Sequence, residues 1–295
     1  MRVGFIGIGA MGLPMASNIL NSGKKLFVFD IRDAPTQSLV EKGAVSCCSI
    51  DSLTQESEII MMSLPGPEEV RIVASEALES MSPGKVLVDL STNSPSLIRE
   101  IDSIAKLKNV SFLDAPVSGG TRGAKSGELT VMVGGEKKVF DALGPIWDCI
   151  GTNVFHVGGA GTGNIIKLVN NMLAFSNMMS NAEALILGAK AGIDPNILWS
   201  IVKTSSGNSA TWAGGVKAIL KDKLSPNFTV NLAFKDINLA TDLAKELGVD
   251  LPMGSVTQRL LKEFCQNGFA DEDILATIKV LESSSGASIR GQWRD

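Results

Sequence analysis

A lysine and an asparagine one helical turn apart are the residues of this chain with the clearest chemical potential. Lys167 and Asn171 lie in GTGNIIKLVNN, residues 161–171, where a glycine-rich loop is predicted to become a long helix. Apolar residues cover nearly every direction around that helix, so it is predicted to be buried on most sides. Burial favours the neutral amine, which is a usable general base. Alternatively, Lys167 merely extends its ammonium group to water from the helix start.

The opening of the chain carries a glycine-rich loop of a kind that holds phosphates. VGFIGIG at 3–9 predicts a strand, the segment after it predicts a helix, and KLFVFD at 25–30 predicts a second strand. Gly7, Gly9 and Gly12 stand at the first junction with GxGxxG spacing. Glycine there permits the tight turn, the close approach of a pyrophosphate and close helix packing, while the helix N-terminus offers amide donors. The pattern predicts a dinucleotide site.

An aspartate at the end of the second strand bears on which dinucleotide is bound. The Asp30 carboxylate can accept hydrogen bonds from the adenosine ribose hydroxyls and repel a 2′-phosphate, which favours NAD over NADP. Arg32, two residues later, could instead pair with that phosphate or stack on adenine. The sequence therefore predicts NAD and leaves NADP open.

The residue types that the chain lacks narrow its chemistry. Oxidation of an alcohol by a nicotinamide needs a group that takes the hydroxyl proton. The chain has no tyrosine, and its one histidine, His156, lies on a predicted strand that runs into a glycine turn. Its four cysteines lack metal-ligand spacing and are predicted to be reduced thiols. A lysine remains as the candidate acid/base, and Lys167 is the most constrained one.

The order of the predicted elements indicates the fold class. Strand and helix signals alternate up to residue 158, which predicts a mostly parallel sheet with helices on both faces. Beyond Gly163 only helices are predicted. The predicted class is α/β, with a Rossmann-type doubly wound sheet domain at 1–162, an all-α domain at 163–295, and the long helix joining them. The segment from Ser283 lacks an apolar stripe and is predicted to be loosely ordered.

Composition and charge limit the partners. The chain has 295 residues, 44% of them apolar, which suffices for two domains with substantial cores. A net charge of −4 and the absence of a long basic run argue against nucleic acid or a membrane as the main partner. No apolar run reaches the length of a bilayer span, and a predicted strand begins directly after Met1. The expected location is cytoplasmic and the expected partner a small molecule.

Polar loops at three predicted strand exits could border a ligand, because ligands of such sheets lie beyond the carboxyl ends of the strands. These loops are SLPGP at 63–67, STN at 91–93 and APVSGG at 115–120. In the last loop, Ser118, Gly119 and Gly120 could offer a hydroxyl and successive backbone amides to a substrate carboxylate. Each loop could equally be a simple turn.

Four motifs spread over nearly the whole chain resemble those of the β-hydroxyacid dehydrogenase family. This family includes 3-hydroxyisobutyrate dehydrogenase, tartronate semialdehyde reductase, 2-(hydroxymethyl)glutarate dehydrogenase and, more distantly, 6-phosphogluconate dehydrogenase. The motifs are FIGIGAMGLPMASN at 5–18, DAPVSGG at 114–120, GxGxxxKxxxN from Gly161 to Asn171, and the pair Lys235 and Asp236. The first motif usually has leucine where this chain has Ile8.

The resemblance implies a role for each matched residue. Lys167 would be the catalytic acid/base, and Asn171 would orient it and the substrate. The loop at 118–120 would hold the substrate carboxylate, and Lys235 would line the site near cofactor and substrate. From spacing alone, an ion pair of Lys235 with Asp236 or another carboxylate is at least as good an interpretation. The dinucleotide would contact Gly7, Gly9, Met11, Gly12, Asp30, Arg32, Leu64, Pro65 and Thr92.

The resemblance also implies an architecture and an activity. The family has a Rossmann-type lobe followed by an all-α lobe, with the active site in the cleft between them, and assembles as homodimers or homotetramers. The expected reaction is reversible NAD-linked hydride transfer from a small 3-hydroxy acid such as 3-hydroxyisobutyrate. One alternative is an NADPH-dependent reductase of succinic, glyoxylic or tartronic semialdehydes. Another is a non-catalytic dinucleotide-binding module. Substrate choice is expected to depend on Thr121, Ser206, Asn208, Trp212 and Phe234.

Overall fold

The first unit of the chain, Met1–Lys167, is built on one sheet. The computed structural model, which describes residues 1–294, divides into this N-terminal unit and a C-terminal unit, Leu168–Asp295. The strands are β1 (Arg2–Ile6), β2 (Lys25–Phe29), β3 (Val45–Ser46), β4 (Ile59–Met62), β5 (Val86–Asp89), β6 (Ser111–Asp114), β7 (Val117–Ser118), β8 (Leu129–Gly135) and β9 (Gly151–Gly158). Their order is β3-β2-β1-β4-β5-β6-β8-β7, with β9 beside β8.

The first six strands are parallel, and their order is that of the doubly wound Rossmann fold. Strand β8 runs antiparallel to β6 and β7 and parallel to β9. The helices of this unit are α1 (Gly12–Asn21), α2 (Asp33–Val40), α3 (Ile50–Glu56), α4 (Pro67–Ser80), α5 (Pro95–Leu107), α6 (Gly120–Ser126), α7 (Lys137–Ala142) and α8 (Gly144–Ile150). The predicted sheet domain is confirmed.

Both faces of the sheet are buried under helices, which explains why its central strands are continuously apolar. On β4, Ile59 and Met61 pack into one core cluster, while Ile60 and Met62 pack into the other. A strand covered on both faces cannot alternate apolar and polar residues. The run EIIMM therefore marks a central strand of such a sheet.

Helices alone follow the sheet. Helix α9 spans Thr162–Lys190, so its first turns belong to the N-terminal unit and its remainder to the C-terminal unit. The later helices are α10 (Pro195–Lys203), α11 (Lys217–Leu220), α12 (Val230–Leu247), α13 (Pro252–Phe264) and α14 (Ile278–Ser285), with π-helical turns at Thr211–Val216 and Cys265–Phe269 and a 3-10 turn at Ile274–Thr277. Within the described residues no strand follows β9, as predicted for an all-α region.

The segment from Ser283 to Arg294 is packed, although its polar composition predicts loose order, and Asp295 lies outside the described residues. The Glu282 carboxylate accepts hydrogen bonds from the backbone amides of Ile289 (2.6 Å) and Arg290 (2.9 Å) and pairs with the Arg290 guanidinium. Trp293 packs edge-on against Trp199, with 5.0 Å between ring centroids. A few specific contacts therefore order a segment that has no apolar stripe, and the prediction of loose order is wrong.

The start of α9 lies unusually close to the sheet. A Cβ atom on Gly163 would stand 2.3 Å from the carbonyl oxygen of Met132 on β8 and 2.9 Å from the Asp114 carboxylate. Gly161 has a φ of 89°, in the left-handed region, and its Cβ would stand 3.1 Å from the carbonyl oxygen of Pro95. Glycine at these two positions is therefore required by the packing of the chain itself.

Substitution of Gly163 should show how tight this packing is. We expect Gly163→Ala to lower the free energy of unfolding by about 2–3 kcal/mol, because the new methyl group meets a backbone carbonyl that cannot yield cheaply. Gly159→Ala is the matched control, since a Cβ there meets no atom of the described residues within 4 Å. Urea unfolding followed by circular dichroism measures both. Equal stability of the two variants would contradict the close packing.

Candidate active site

The three glycines of the loop after β1 have different surroundings. Gly7 has a φ of 89°, and a Cβ there would stand 2.3 Å from the carbonyl oxygen of Ser63. A Cβ on Gly12 would stand 1.9 Å from the carbonyl oxygen of Gly7. At Gly9 the nearest atom that a Cβ would meet is Nη2 of Arg32, 3.8 Å away. Gly7 and Gly12 are thus required by the loop and helix, whereas Gly9 leaves open space above the backbone.

This loop fits the pyrophosphate of a dinucleotide. The Ile8 amide donates to Asp30, the Leu13 amide donates to the carbonyl oxygen of Gly9, and Pro14 has no amide hydrogen, so the amides of residues 9–12 are the donors that could serve an anion. The positive end of the helix dipole lies at the same place. Open space, unused amides and a favourable dipole are the features that an anion requires. Gly7, Gly9, Met11 and Gly12 would hold the pyrophosphate.

Asp30 and Arg32, the two residues that bear on cofactor choice, form a pair. Asp30 Oδ2 accepts the amide of Ile8 at 2.7 Å, and Oδ1 accepts the backbone amide and Nε of Arg32 at 2.9 and 3.1 Å. Burial alone would raise the pKa of Asp30, but the hydrogen bonds from Arg32 and Ile8 outweigh it and hold the pKa below its ordinary value. The carboxylate therefore stays charged at neutral pH and opposes a 2′-phosphate, while the exposed Arg32 guanidinium could attract one.

The other predicted cofactor residues lie in the loops after β4 and β5, close to the glycine loop. The Leu64 amide donates a hydrogen bond of 2.9 Å to Ser91 Oγ, which joins these two loops. Pro65 follows Leu64, and Thr92 follows Ser91. Since Gly7 touches Ser63, three strand exits meet at one edge of the sheet. The prediction that ligand-facing loops gather there is consistent with this geometry.

The loop at 118–120 presents successive backbone amides. Ser118 ends β7, and Gly119 and Gly120 follow with φ values of 129° and 61° before α6 begins. A Cβ on Gly120 would meet no atom of residues 1–294 within 4 Å. Two consecutive glycines with positive φ form a tight turn, and successive backbone amides in a turn are the donors from which an anion-binding nest can be built. The loop therefore has the shape that a carboxylate site needs.

Lys167 is buried on the second turn of α9, with a relative exposure of 8%. Asn171 follows one turn later and is 5% exposed. Residues four apart on a helix share a face. A lysine this buried is rare unless it is partnered or functional, and such a position suits an acid/base that must be shielded from bulk water.

In the C-terminal unit, Asp236 joins two of the predicted site residues. Its Oδ2 accepts a hydrogen bond of 2.7 Å from Asn171 Nδ2, and its Oδ1 lies 3.0 Å from Lys235 Nζ. Because a carboxylate only accepts hydrogen bonds, the Asn171 amide must turn its nitrogen to Asp236 and its oxygen away. The ion pair foreseen as an alternative for Lys235 is present.

The structure contains a buried polar network at the ends of β5 and β6 that the sequence does not predict. Asp89 and Asp114 are fully buried, as are Asn93 and Asn164. Asp89 accepts hydrogen bonds from the Ser91 amide (3.0 Å) and from Asn93 Nδ2 (2.6 Å), and the Asn93 amide donates to Asn164 Oδ1 at 2.7 Å. One sequence pattern is consistent with the network. Both strands are apolar runs that end in aspartate, and an aspartate in such surroundings is usually buried with hydrogen-bond partners.

Burial changes the ionisation of both aspartates of this network. It raises the pKa of Asp89 to about 7, against hydrogen bonds from Ser91 and Asn93 that lower it, and the neighbouring Asp114 adds to the rise. Burial likewise raises the pKa of Asp114, and the donors Gly161 and Asn164 offset part of that rise. Asp89 therefore titrates near neutrality.

His156 and Trp212 are both engaged in hydrogen bonds to backbone carbonyl oxygens. His156 Nε2 is 2.9 Å from the carbonyl oxygen of Gly135, and its ring packs on Phe140. Trp212, considered for substrate choice, is 2% exposed and donates its indole N–H to the carbonyl oxygen of Trp199. In residues 1–294 the four cysteines are free and no metal-binding group of side chains occurs. No helix of that range has both the length and the apolarity of a bilayer span.

Two family models match the chain, one over each part. The NAD binding domain of 6-phosphogluconate dehydrogenase matches residues 2–158. The NAD-binding domain of NADP-dependent 3-hydroxyisobutyrate dehydrogenase matches residues 161–281. A nicotinamide dinucleotide is therefore the cofactor, with NAD as the prediction and NADP as the alternative.

Individual relatives match over almost their whole length. The chain is 39% identical over 295 residues to 2-(hydroxymethyl)glutarate dehydrogenase of Eubacterium barkeri, covering 99% of this chain and 98% of the relative. It is 33% identical to NAD-dependent L-serine dehydrogenase of Pseudomonas aeruginosa, covering 97% and 99%. The structure of Mycobacterium tuberculosis 3-hydroxyisobutyrate dehydrogenase with L-serine superposes with a TM-score of 0.87 at 29% identity, covering 95% and 98%.

The fold, the glycine loop and these similarities together define a nicotinamide-dependent oxidoreductase that acts on hydroxy acids. The chain belongs to the β-hydroxyacid dehydrogenase family. The non-catalytic alternative is thereby set aside.

The titration of Asp89 should appear in the stability of the protein. Its pKa is 3.8 in an unfolded chain and about 7 in the fold, so between these values the folded protein binds more protons. The contribution of Asp89 to stability therefore falls as pH rises across that window, by on the order of 4 kcal/mol. We expect Asp89→Asn to remove this fall.

The Asp89→Asn variant should still fold. Asn93 Oδ1 has no hydrogen-bond donor among the described residues and can accept a hydrogen bond from the new side-chain amide. Asp114 titrates in both proteins, so the difference between them reports Asp89. Urea unfolding at pH 4, 5, 6, 7 and 8 measures it. Parallel stability curves for the two proteins would rule out the assignment.

Proposed function

We propose that this dehydrogenase oxidises the primary alcohol of a 2-substituted 3-hydroxypropanoate, HOCH2–CH(R)–COO−. The names of the relatives support this class, because 2-(hydroxymethyl)glutarate, L-serine and 3-hydroxyisobutyrate all contain that unit and differ only in R. The carboxylate shared by these acids, one carbon removed from the reacting CH2OH group, requires an anion site, and the amides of the loop at 118–120 would provide it. The identity of R depends on side chains whose contributions are about 1–3 kcal/mol each.

The observation that carries the mechanism is the burial of Lys167. When bound, the nicotinamide ring supplies the acceptor of the hydride. The amine of Lys167 takes the hydroxyl proton during oxidation and returns it during reduction of the semialdehyde. Asn171, one turn away, would orient that amine and the substrate through its carbonyl oxygen. Lys235 is held by Asp236 and is the cation of the C-terminal unit to which the family resemblance gives a role in binding.

A second candidate has one observation in its favour. The Arg32 guanidinium is exposed beside Gly9, where it could bind a 2′-phosphate, and one of the matched models describes an NADP-dependent enzyme. The protein would then act as an NADPH-dependent reductase of a small semialdehyde. The charged Asp30 opposes this, and NAD-linked oxidation is the better supported of the two.

We also propose separate functions for the two parts of the chain. Residues 1–162 form the NAD(P)-binding domain and residues 163–295 the substrate and oligomerisation domain, in line with the ranges of the two family matches. The contact-based division places the boundary slightly later, after Lys167. A cytoplasmic location stays a prediction, to be tested by cell fractionation.

Exposed apolar residues on α9 and α10 support a homo-oligomer. Val169 and Leu173 on α9 are 48% and 55% exposed, and Ile197 and Ile201 on α10 are 55% and 58% exposed. Aliphatic side chains in such rows usually become covered by a partner. We expect sedimentation velocity to show a homodimer or homotetramer, and Leu173→Glu to shift it toward monomer. A monomeric wild-type protein at micromolar concentration would contradict the proposal.

Replacement of the proposed acid/base gives the most direct test. We expect Lys167→Ala to lower kcat by about 10³-fold or more, since proton transfer by a positioned group contributes on that scale. Binding of NAD, followed by fluorescence titration, should change little. The wild-type kcat for oxidation should rise with pH, because the neutral amine is the form that accepts a proton.

The matched control for this test is Lys190→Ala, a lysine on the same helix whose amine donates to the carbonyl oxygen of Ser285 at the surface. It should retain full activity. Near-normal turnover of Lys167→Ala would refute the role of Lys167.

A substrate panel tests the substrate class independently. It contains 3-hydroxyisobutyrate, L-serine, 2-(hydroxymethyl)glutarate, 3-hydroxypropionate, glycerate and 4-hydroxybutyrate, each with NAD and NADP. The proposal requires the highest kcat/KM on a 2-substituted 3-hydroxypropanoate with NAD. A clear preference for 4-hydroxybutyrate, or for NADP over NAD, would favour the second candidate.

A further inference from the structure

The first turn of α9 is capped by a side chain from the sheet. The Asp114 carboxylate, at the end of β6, accepts the Gly161 amide on Oδ1 at 2.8 Å and the Asn164 amide on Oδ2 at 2.9 Å. Asn164 Nδ2 donates a third hydrogen bond to Oδ2 at 3.2 Å. The first amides of a helix have no partner within the helix, and they are normally capped by the residue just before it. Here the cap comes from a residue about fifty positions earlier.

A second connection fixes the same turn from another strand. Asn164 Oδ1 accepts the Asn93 amide at 2.7 Å, and Asn93 Nδ2 donates to Asp89 at the end of β5 at 2.6 Å. The helix start is therefore tied to two neighbouring strands by hydrogen bonds. These bonds restrain both its position along the helix axis and its rotation about that axis.

The packing of glycines removes the remaining freedom. A Cβ on Gly134 of β8 would stand 2.3 Å from Asp114 Oδ1 and 3.0 Å from the Gly163 nitrogen. Gly163 is equally close to β8 from the helix side. The helix start cannot approach the sheet further, and it cannot withdraw without breaking bonds to a buried carboxylate.

We propose that Asp114 and Asn164 are positioning residues for Lys167. Lys167 stands three residues after Asn164, so the amine projects from the turn that directly follows the turn they fix. The inference rests on the proposed role of Lys167 as acid/base. An ordinary helix cap affects stability alone, whereas this cap also sets where the amine lies relative to the strand exits of the same unit. Displacement of a reacting group by about 1 Å can reduce turnover 10²-fold.

The test compares Asp114→Asn with a control that perturbs an equivalent cap elsewhere. Asp273 is buried and accepts the amides of Asn227, Phe228 and Leu275 at the start of the 3-10 turn Ile274–Thr277. Asp273→Asn therefore removes a similar set of hydrogen bonds, in the C-terminal unit and more than thirty residues along the chain from Lys235. Both variants are made in the full chain and assayed where urea unfolding shows them to be folded.

We expect kcat of Asp114→Asn to fall by about 10- to 100-fold, with KM and the dissociation constant of NAD within about threefold of wild type. Asp273→Asn should keep its kcat. In a Lys167→Ala background, Asp114→Asn should cause no further loss, because its effect passes through the missing amine. Equal kcat for Asp114→Asn and Asp273→Asn, or a loss confined to KM, would overturn the proposal.

Asn164→Ala answers the question if Asp114→Asn fails to fold. It leaves the two backbone amides on Asp114 and removes only the bonds of the Asn164 side chain. We expect a fall in kcat of about three- to tenfold at unchanged NAD affinity, and wild-type turnover would overturn the proposal. If Lys167→Ala itself is nearly normal, the proposed function fails. If Lys167→Ala is impaired while the Asp114 and Asn164 variants are normal, only the positioning inference fails.

Discussion

The hydrogen bonding of the buried Asp114 carboxylate determines where α9 begins on the sheet of the N-terminal unit. A carboxylate without exposed surface is tolerated only when donors surround it, and here the donors are the amides at the start of α9. The requirement is mutual, since those amides have no partner in the helix itself. Neither group is satisfied unless the helix begins at this place on the sheet. The position of Lys167 follows from that requirement.

The glycines of the recognisable motifs divide into two groups when their surroundings are compared. Gly7, Gly12 and Gly163 face backbone oxygens of the protein at distances that no side chain could accept, so the fold itself requires them. Gly9 and Gly120 face open space and are the ones whose small size can benefit a ligand. The motif letters alone do not separate these reasons. A substitution at the first group therefore reports folding, while one at the second reports binding.

The sequence predicts the architecture well because the apolar runs and glycine junctions are local signals. It fails where stability comes from distant partners. The hydrogen bonds of Asp114 to the helix start and of Asn171 to Asp236 join residues 47 to 65 positions apart, and no spacing rule indicates them. Short elements such as β3 and α6 have too few residues to show a periodic pattern in the sequence. The ordered C-terminal segment depends likewise on single contacts of Glu282 and Trp293.

Two lysines that the sequence places in similar apolar helices differ in burial and in partners in the structure. Lys235 is a quarter exposed and lies against the adjacent Asp236, so it is a cation held in place and suited to attract an anion. Lys167 is more deeply buried, and the asparagine one turn later is turned by Asp236 so that its oxygen faces away from the carboxylate. An oxygen so directed can accept a hydrogen bond from an amine or a hydroxyl but cannot donate one. Asp236 thus contacts both residues. It pairs with the Lys235 ammonium group, and it orients the Asn171 amide so that its oxygen, which accepts a hydrogen bond of 3.1 Å from Asn170 Nδ2, faces away from the carboxylate.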